Sequence, residues 1–274
     1  MDSFNIKRFA MTARWMARMH FKNVLSFTEG LAFGYLFPCI GVVYPALKYG
    51  EAFTGQELQR IVEMSSLVYA IISIICGAWI CADMKTKEQR TQVRLLPATD
   101  LEKFLVRFLA LTLGVAVVGV VAFFMADLLR VVFSLVAGID YVRFALPDFI
   151  SYVFLNETNP SFLGHTTDTY SAGVYFAALA WCVWAHSLYM LGGTLLRRYQ
   201  FVITTAVHAL LFIIMSVIIT GTLGNPEAAF SDPGLTPVFC AAGTLFFVVA
   251  VVNWWLTYRL FGRMQVINNK WINL

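Results

Sequence analysis

Charge is what this sequence has least of. Asp, Glu, Lys and Arg make up 13% of its 274 residues, 59% are hydrophobic, and the mean hydropathy is +0.71. Ordinary soluble domains carry about 25% charged residues. A chain this poor in charge cannot cover a water-facing exterior with polar groups, so a soluble fold is excluded. The net charge is only +4 and no long basic run occurs, which excludes nucleic-acid binding and disorder. No C-x-x-C pair occurs among Cys39, Cys76, Cys81, Cys182 and Cys240, so neither a zinc site nor a disulfide framework is expected. The cysteines read as small buried hydrophobes. No G-x-x-x-x-G-K-[ST] loop is present to cradle phosphates, and no G-x-S-x-G elbow supports a nucleophile. His186 and Ser187 are adjacent, so on a helix they point about 100° apart and cannot pair. The chain is therefore not expected to be an enzyme, and Glu29, Asp83 and Asp127, near span ends where water or headgroups can solvate them, receive no catalytic role. A cleavable leader is not expected, since the first apolar run begins only near Leu31.

What is present is apolar length. Six runs, at 27–47, 64–82, 105–125, 174–195, 201–223 and 237–256, can each cross a core of about 30 Å at 1.5 Å per helical residue. They predict an all-α, polytopic membrane protein with six transmembrane helices in a single domain. Thr54 with Glu57 and Thr99 with Glu102 fit the capping box, and Thr236 before Pro237 fits a capped first turn. Pro38 falls inside the first run, where it is expected to kink the helix. With the N-terminus inside, sixteen Lys and Arg lie on the cytoplasmic side and four (Lys48, Arg60, Arg130, Arg143) outside. That bias places both termini in the cytoplasm.

Residues 1–25 form an amphipathic pattern: Lys7, Arg14, Arg18 and Lys22 fall on one side, Ile6, Phe9, Ala13, Met16, Ala17 and Val24 on the other. This predicts an interfacial helix attracted to anionic lipid. The long outer connection, 127–173, is rich in apolar residues at 128–136 and 144–155, which read as short amphipathic helices on the outer leaflet.

The cytoplasmic connection 84–104 is the most informative stretch. It holds a charged strip with Glu88, Arg90 and Thr91, then Leu95-Leu96-Pro97, then the capped start of a helix with Glu102 and Lys103. Residue chemistry alone leaves two readings open: a rigid docking element for a soluble partner, or a solvated loop. The whole order, from basic amphipathic helix through two spans, charged strip and Leu-Leu-Pro corner to four more spans, resembles the permease subunit of ABC-2 type transporters. Segments 191–198 and 258–263 resemble bacterial members of that group. One departure is that Gln89 and Arg90 precede Thr91, where family members often carry glycine.

The resemblance implies a bacterial plasma (inner) membrane protein whose ATP and Mg chemistry sits on a separate ATPase subunit. Glu88, Arg90, Leu95, Leu96, Pro97, Glu102 and Lys103 would then contact that subunit, with the two leucines as anchors and the polar residues as rim. It also implies pairing with a second copy or a second permease. Ala110 and Gly114, spaced small-x-x-x-small, permit a close helix approach. The spans carry no lysine, arginine or paired carboxylate midway, which suits export of an amphipathic or lipid-like substrate. Tyr175, Cys182, His186, Tyr189 and His208 are the candidate pathway residues. His186 and His208 fall at similar depth on either side of a short turn, so packing, a substrate pathway, or haem or metal ligation are all open to them. A structural or immunity-type membrane protein without transport is the remaining alternative.

Overall fold

The computed structural model describes residues 4–49, 55–84, 86–139, 142–155, 172–196, 198–223, 230 and 232–264. Among these the regular elements are all helical. Six stretches are long and apolar enough to cross a membrane: Ile6–Pro45, Gly55–Met84, Asp100–Val136, Ala172–Leu195, Gln200–Thr222 and Pro233–Arg263. Lipid offers no partner to a backbone N–H or C=O, so spans of this kind must satisfy their own backbone, as helices do. The chain is an all-α, multi-pass membrane protein.

Helix α1 (Ile6–Tyr49) is 44 residues long, a contour of about 66 Å. The expected interfacial segment and the first span share this one helix, which continues through Pro38 and Pro45. Helix α2 (Gly55–Ile75) ends in the 3-10 turns Cys76–Trp79 and Ala82–Met84. Thr54, the expected cap of α2, lies outside the described residues. Then come α3 (Lys87–Leu95), α4 (Asp100–Leu109), a π-helical turn Ala110–Gly114, and α5 (Val115–Val136). Ala110 is exposed and Gly114 half-buried within that π turn.

Residues 128–136 differ from expectation: they are no separate outer helix but the end of α5. Nothing in the sequence stops the helix before Gly138. That glycine has φ 73°, and the Ile139 N–H reaches the Ser134 carbonyl at 3.1 Å, the left-handed cap that closes a helix. Helix α6 (Leu146–Ile150) and the π turn Ser151–Leu155 follow, and the outer connection from 156 to 171 lies outside the described residues. The remaining spans are α7 (Ala172–Leu195), α8 (Gln200–Leu223) and α9 (Thr236–Arg263). Thr236 opens α9 without capping it. The cap belongs to the preceding turn, where Asp232 accepts from the Gly234 N–H at 2.8 Å.

Two compact units divide the chain, with boundaries inside α1, near the end of α2 and in the π turn before α5. The unit built from 17–72 and 113–167 has an aromatic core. Phe123 and Phe149 stack at 4.1 Å between ring centres, and Tyr35 meets Phe123 edge-on at 5.6 Å. All three rings are fully buried. Against a lipid solvent such contacts stabilise through packing rather than through escape from water.

Asp127 and Arg130 sit beside this core. Both Arg130 Nε (2.9 Å) and Nη2 (2.7 Å) donate to Asp127 Oδ1, while Oδ2 accepts the Ala145 and Leu146 N–H groups at 2.8 and 3.1 Å. Arg130 also donates to the Arg143 carbonyl. Asp127 is thus not solvated by headgroups as its span-end position suggests. It is fully buried and ties the start of α6 to α5.

In the other unit, α7 and α9 run side by side in the same direction. Asn253 Nδ2 donates to Ser187 Oγ at 3.0 Å, which in turn donates to the Trp184 carbonyl. The turn Cys76–Trp79 lies so close to α7 that a Cβ on Gly77 would fall 2.7 Å from the His186 carbonyl oxygen. Gln200 Nε2 donates to the Ala78 carbonyl at 2.9 Å, satisfying the turn from α8.

Candidate partner-docking element

Helix α3 lies between the second and third spans and belongs to neither. Its start is set by Thr86. The Gln89 N–H donates to Thr86 Oγ1 at 3.2 Å, and the Thr86 N–H donates to Gln89 Oε1 at 3.1 Å, a reciprocal capping box closed by Gln rather than Glu. The Thr-x-x-Gln spacing was there to be read. Its end is set by Pro97, which bars helical geometry at Leu96, and Leu96 is extended with ψ 130°. The expected Thr99–Glu102 box opens α4, with Glu102 N–H to Thr99 Oγ1 at 3.2 Å and Thr99 N–H to Glu102 Oε2 at 2.9 Å. Two capped helices therefore meet at a four-residue corner, Leu96 to Thr99.

Arg94, which the sequence reading passed over, fastens this corner. Its Nη1 donates to Asp100 Oδ1 at 3.0 Å. Its Nη2 faces the carbonyls of Phe261, Gly262 and Met264 at 3.3, 3.1 and 2.8 Å. Those are orphan acceptors at the C-terminal end of α9, where a cation also answers the helix dipole. Below, Val93 packs into a cluster with Ile80, Met84, Phe104, Phe261 and Met264. Arg107 pairs with Asp83 at 2.6 Å and lies over the Phe261 ring. Asp83, expected to be solvated by water or headgroups, is instead held in that pair.

This geometry sorts the expected contact residues. Leu95 is 77% exposed, and Glu88 and Pro97 are exposed as well. Leu96 is half-buried. Arg90, Glu102 and Lys103, expected in the polar rim around the leucines, are buried within the chain itself. Arg90 Nε donates to the Thr86 carbonyl at 3.3 Å, and Lys103 Nζ to the Arg94 carbonyl at 3.3 Å. Glu102 accepts from the Asn5 N–H at 2.7 Å and from Arg8 Nη2 at 3.2 Å, beyond its bond to Thr99. The surface that α3 leaves outward is Lys87 and the stripe Glu88, Gln92 and Leu95, the last three one face at helical spacing. Its own backbone N–H, with help from the Thr86 hydroxyl, holds the Glu88 carboxyl below the usual carboxylate range.

Glu102 thus joins the first turn of α1 to the corner. A Glu102→Gln variant loses the charge that holds Arg8 and keeps the size. Amide exchange over residues 5–9 is expected to rise several-fold while that of α7 stays unchanged. Equal exchange in both proteins would show that the first turn is held elsewhere.

The candidate pathway residues are only partly assembled. Tyr189 donates to Thr205 Oγ1 at 3.0 Å and meets the His208 ring edge-on at 5.7 Å between centres. Trp181 and Trp184 flank the same imidazole at 5.6 and 5.9 Å. His186 turns to α2 instead, its Nδ1 2.8 Å from the Ser73 carbonyl. A carbonyl can only accept, so the proton sits on Nδ1 and the buried Nε2 is an acceptor with no partner among the described residues. Cys182 and Tyr175 are half-buried. Among the described residues no group of three or more His, Cys, Asp or Glu could hold a metal ion. No protein-family model, curated protein or solved structure matches the chain.

Proposed function

We propose that this chain is the permease subunit of an ABC-2 type transporter in a bacterial plasma membrane, both termini cytoplasmic, driven by a separate ATPase subunit. The observation that carries the reading is α3: a short helix outside the spans, boxed at its start and fastened by Arg94 to the ends of two spans. A partner pushing on Leu95 would move α4 and α9 together, because Arg94 and the Thr99 box leave the corner little freedom. That is the mechanical requirement for turning a nucleotide cycle in one subunit into helix motion in another. The strong excess of Lys and Arg on one side supports placing α3 in the cytoplasm. The apolar spans suit an amphipathic or lipid-like exported substrate, carried by a pair of permeases.

Affinity purification in mild detergent, after crosslinking in the native membrane, is expected to recover an ATP-binding subunit. Leu95→Asp should cut that recovery at least about tenfold, as for a central apolar anchor, with the spans still folded. Recovery of the chain alone, or of the same partner with Leu95→Asp, counts against the reading. A partner ATPase whose activity ignores this chain would favour a structural or immunity-type role.

One observation favours a second reading. His186 has the form of a ligating imidazole, Nδ1 fixed by a carbonyl and Nε2 without a partner among the described residues. If it ligates haem with His208, purified protein will show a Soret band that His186→Ala removes. Colourless, iron-free protein eliminates that reading.

A further inference from the structure

In the unit built around the Tyr35–Phe123–Phe149 core, α1 and α2 leave a cleft of about 500 Å³ between them. Its lining is graded along its length. On α2 one stripe at helical spacing runs from Glu57 and Arg60 to Met64 and Val68. Glu57 lies in the first turn of α2, so the polar groups stand at the mouth, and Val68 lies about 16 Å deeper. Facing them on α1, Phe37 marks the apolar foot and Gly41 the middle. A Cβ built on Gly41 meets nothing within 4 Å, so the missing side chain is what keeps the middle of the cleft open. Phe37 and Met64 are 78% and 53% exposed, so the apolar walls open sideways rather than closing into a core.

Among the described lining residues the mouth carries one charge of each sign, Glu57 and Arg60. Arg60 Nη1 lies 3.7 Å from Glu57 Oε1, beyond hydrogen-bond length, and the Arg60 side chain is 65% exposed. A guanidinium placed this way can still offer its fork to a phosphate. The carboxylate beside it suits an ammonium and repels a second anion. The recognised head is therefore a linked phosphate and ammonium, and the foot takes a hydrocarbon tail. We propose that the cleft binds one zwitterionic phospholipid, an acyl chain lying between Phe37 and Val68 and its headgroup on Arg60 and Glu57. The site rests on the membrane-spanning fold alone and is independent of any partner ATPase.

The test uses the full chain reconstituted in phosphatidylethanolamine vesicles with a minor fraction of phosphatidylglycerol. The probe is phosphatidylethanolamine bearing a photoreactive group in its acyl chain, with labelled peptides mapped by mass spectrometry. Labelling is expected to concentrate on residues 37–45 and 57–68. Unlabelled phosphatidylethanolamine should compete about tenfold better than phosphatidylglycerol, a difference of about 1.4 kcal/mol. Gly41→Phe fills open space and should cut labelling there about tenfold while leaving labelling of α8 unchanged. The α8 signal also reports that the variant is folded. Arg60→Ala should keep the tail in place and remove the headgroup preference. Labelling of the cleft no stronger than that of α8, indifference to Gly41→Phe, or equal competition by the two lipids would each overturn the proposal.

Discussion

Asp127→Ala is expected to lower the stability of the chain by about 3–5 kcal/mol, the usual cost of stranding a buried charge. In a protein of this size that is a fall on the order of 10 °C in the melting temperature measured in detergent. The substitution leaves Arg130 without its carboxylate and strips the Ala145 and Leu146 N–H groups of their acceptor. Arg130→Met on its own strands Asp127 instead, which still keeps its two N–H donors, so a smaller loss is expected. The double variant Asp127→Ala with Arg130→Met removes both charges and should recover part of the loss. A residue of about 1–3 kcal/mol should persist for each N–H left unpaired. Full recovery would mean that those two amides find other partners. No loss in Asp127→Ala would mean that the pair adds nothing.

Arg94→Leu should separate binding from transmission. Removing its contacts to Asp100 and to three carbonyls at the C-terminal end of α9 should cost about 2–3 kcal/mol, in the range for hydrogen bonds to a charged group. Leu95 stays exposed in this variant, so the proposed ATPase subunit should still copurify. Its hydrolysis should no longer respond to substrate, because α3 can then shift without carrying α9. Arg94→Lys should rescue only in part, since a point charge cannot span Asp100 and the carbonyls as a fork does. Wild-type coupling in Arg94→Leu would show that the force runs through Val93 and the packed cluster below it.

The spans could be read directly because lipid demands apolar side chains over a whole helix length, a signal no short-range accident imitates. The Thr99–Glu102 box was legible for a similar reason: both partners sit within one turn, so spacing alone sets the geometry. Residues 128–136 misled because Arg130 in an apolar run, just after Asp127, looks like part of a surface helix. At i, i+3 the two charges answer each other, and the span simply continues to Gly138. The N-terminal pattern was visible, but not that Glu102 holds its first turn from 97 residues away.

Composition and local spacing therefore settled the class, the six spans and the cap at Thr99. Folding alone settled which polar groups face outward. Leu95 and Leu96 are neighbours of equal hydrophobicity, yet one is 77% exposed and the other half-buried, because Val93 anchors α3 and Pro97 ends it. Arg94 and Arg90 look interchangeable along the chain, but Arg94 answers carbonyls 167 to 170 residues away. A sequence states that a charge is present. Whether water, lipid or a distant carbonyl meets it depends on which elements are brought beside it, and that is decided only when the helices pack.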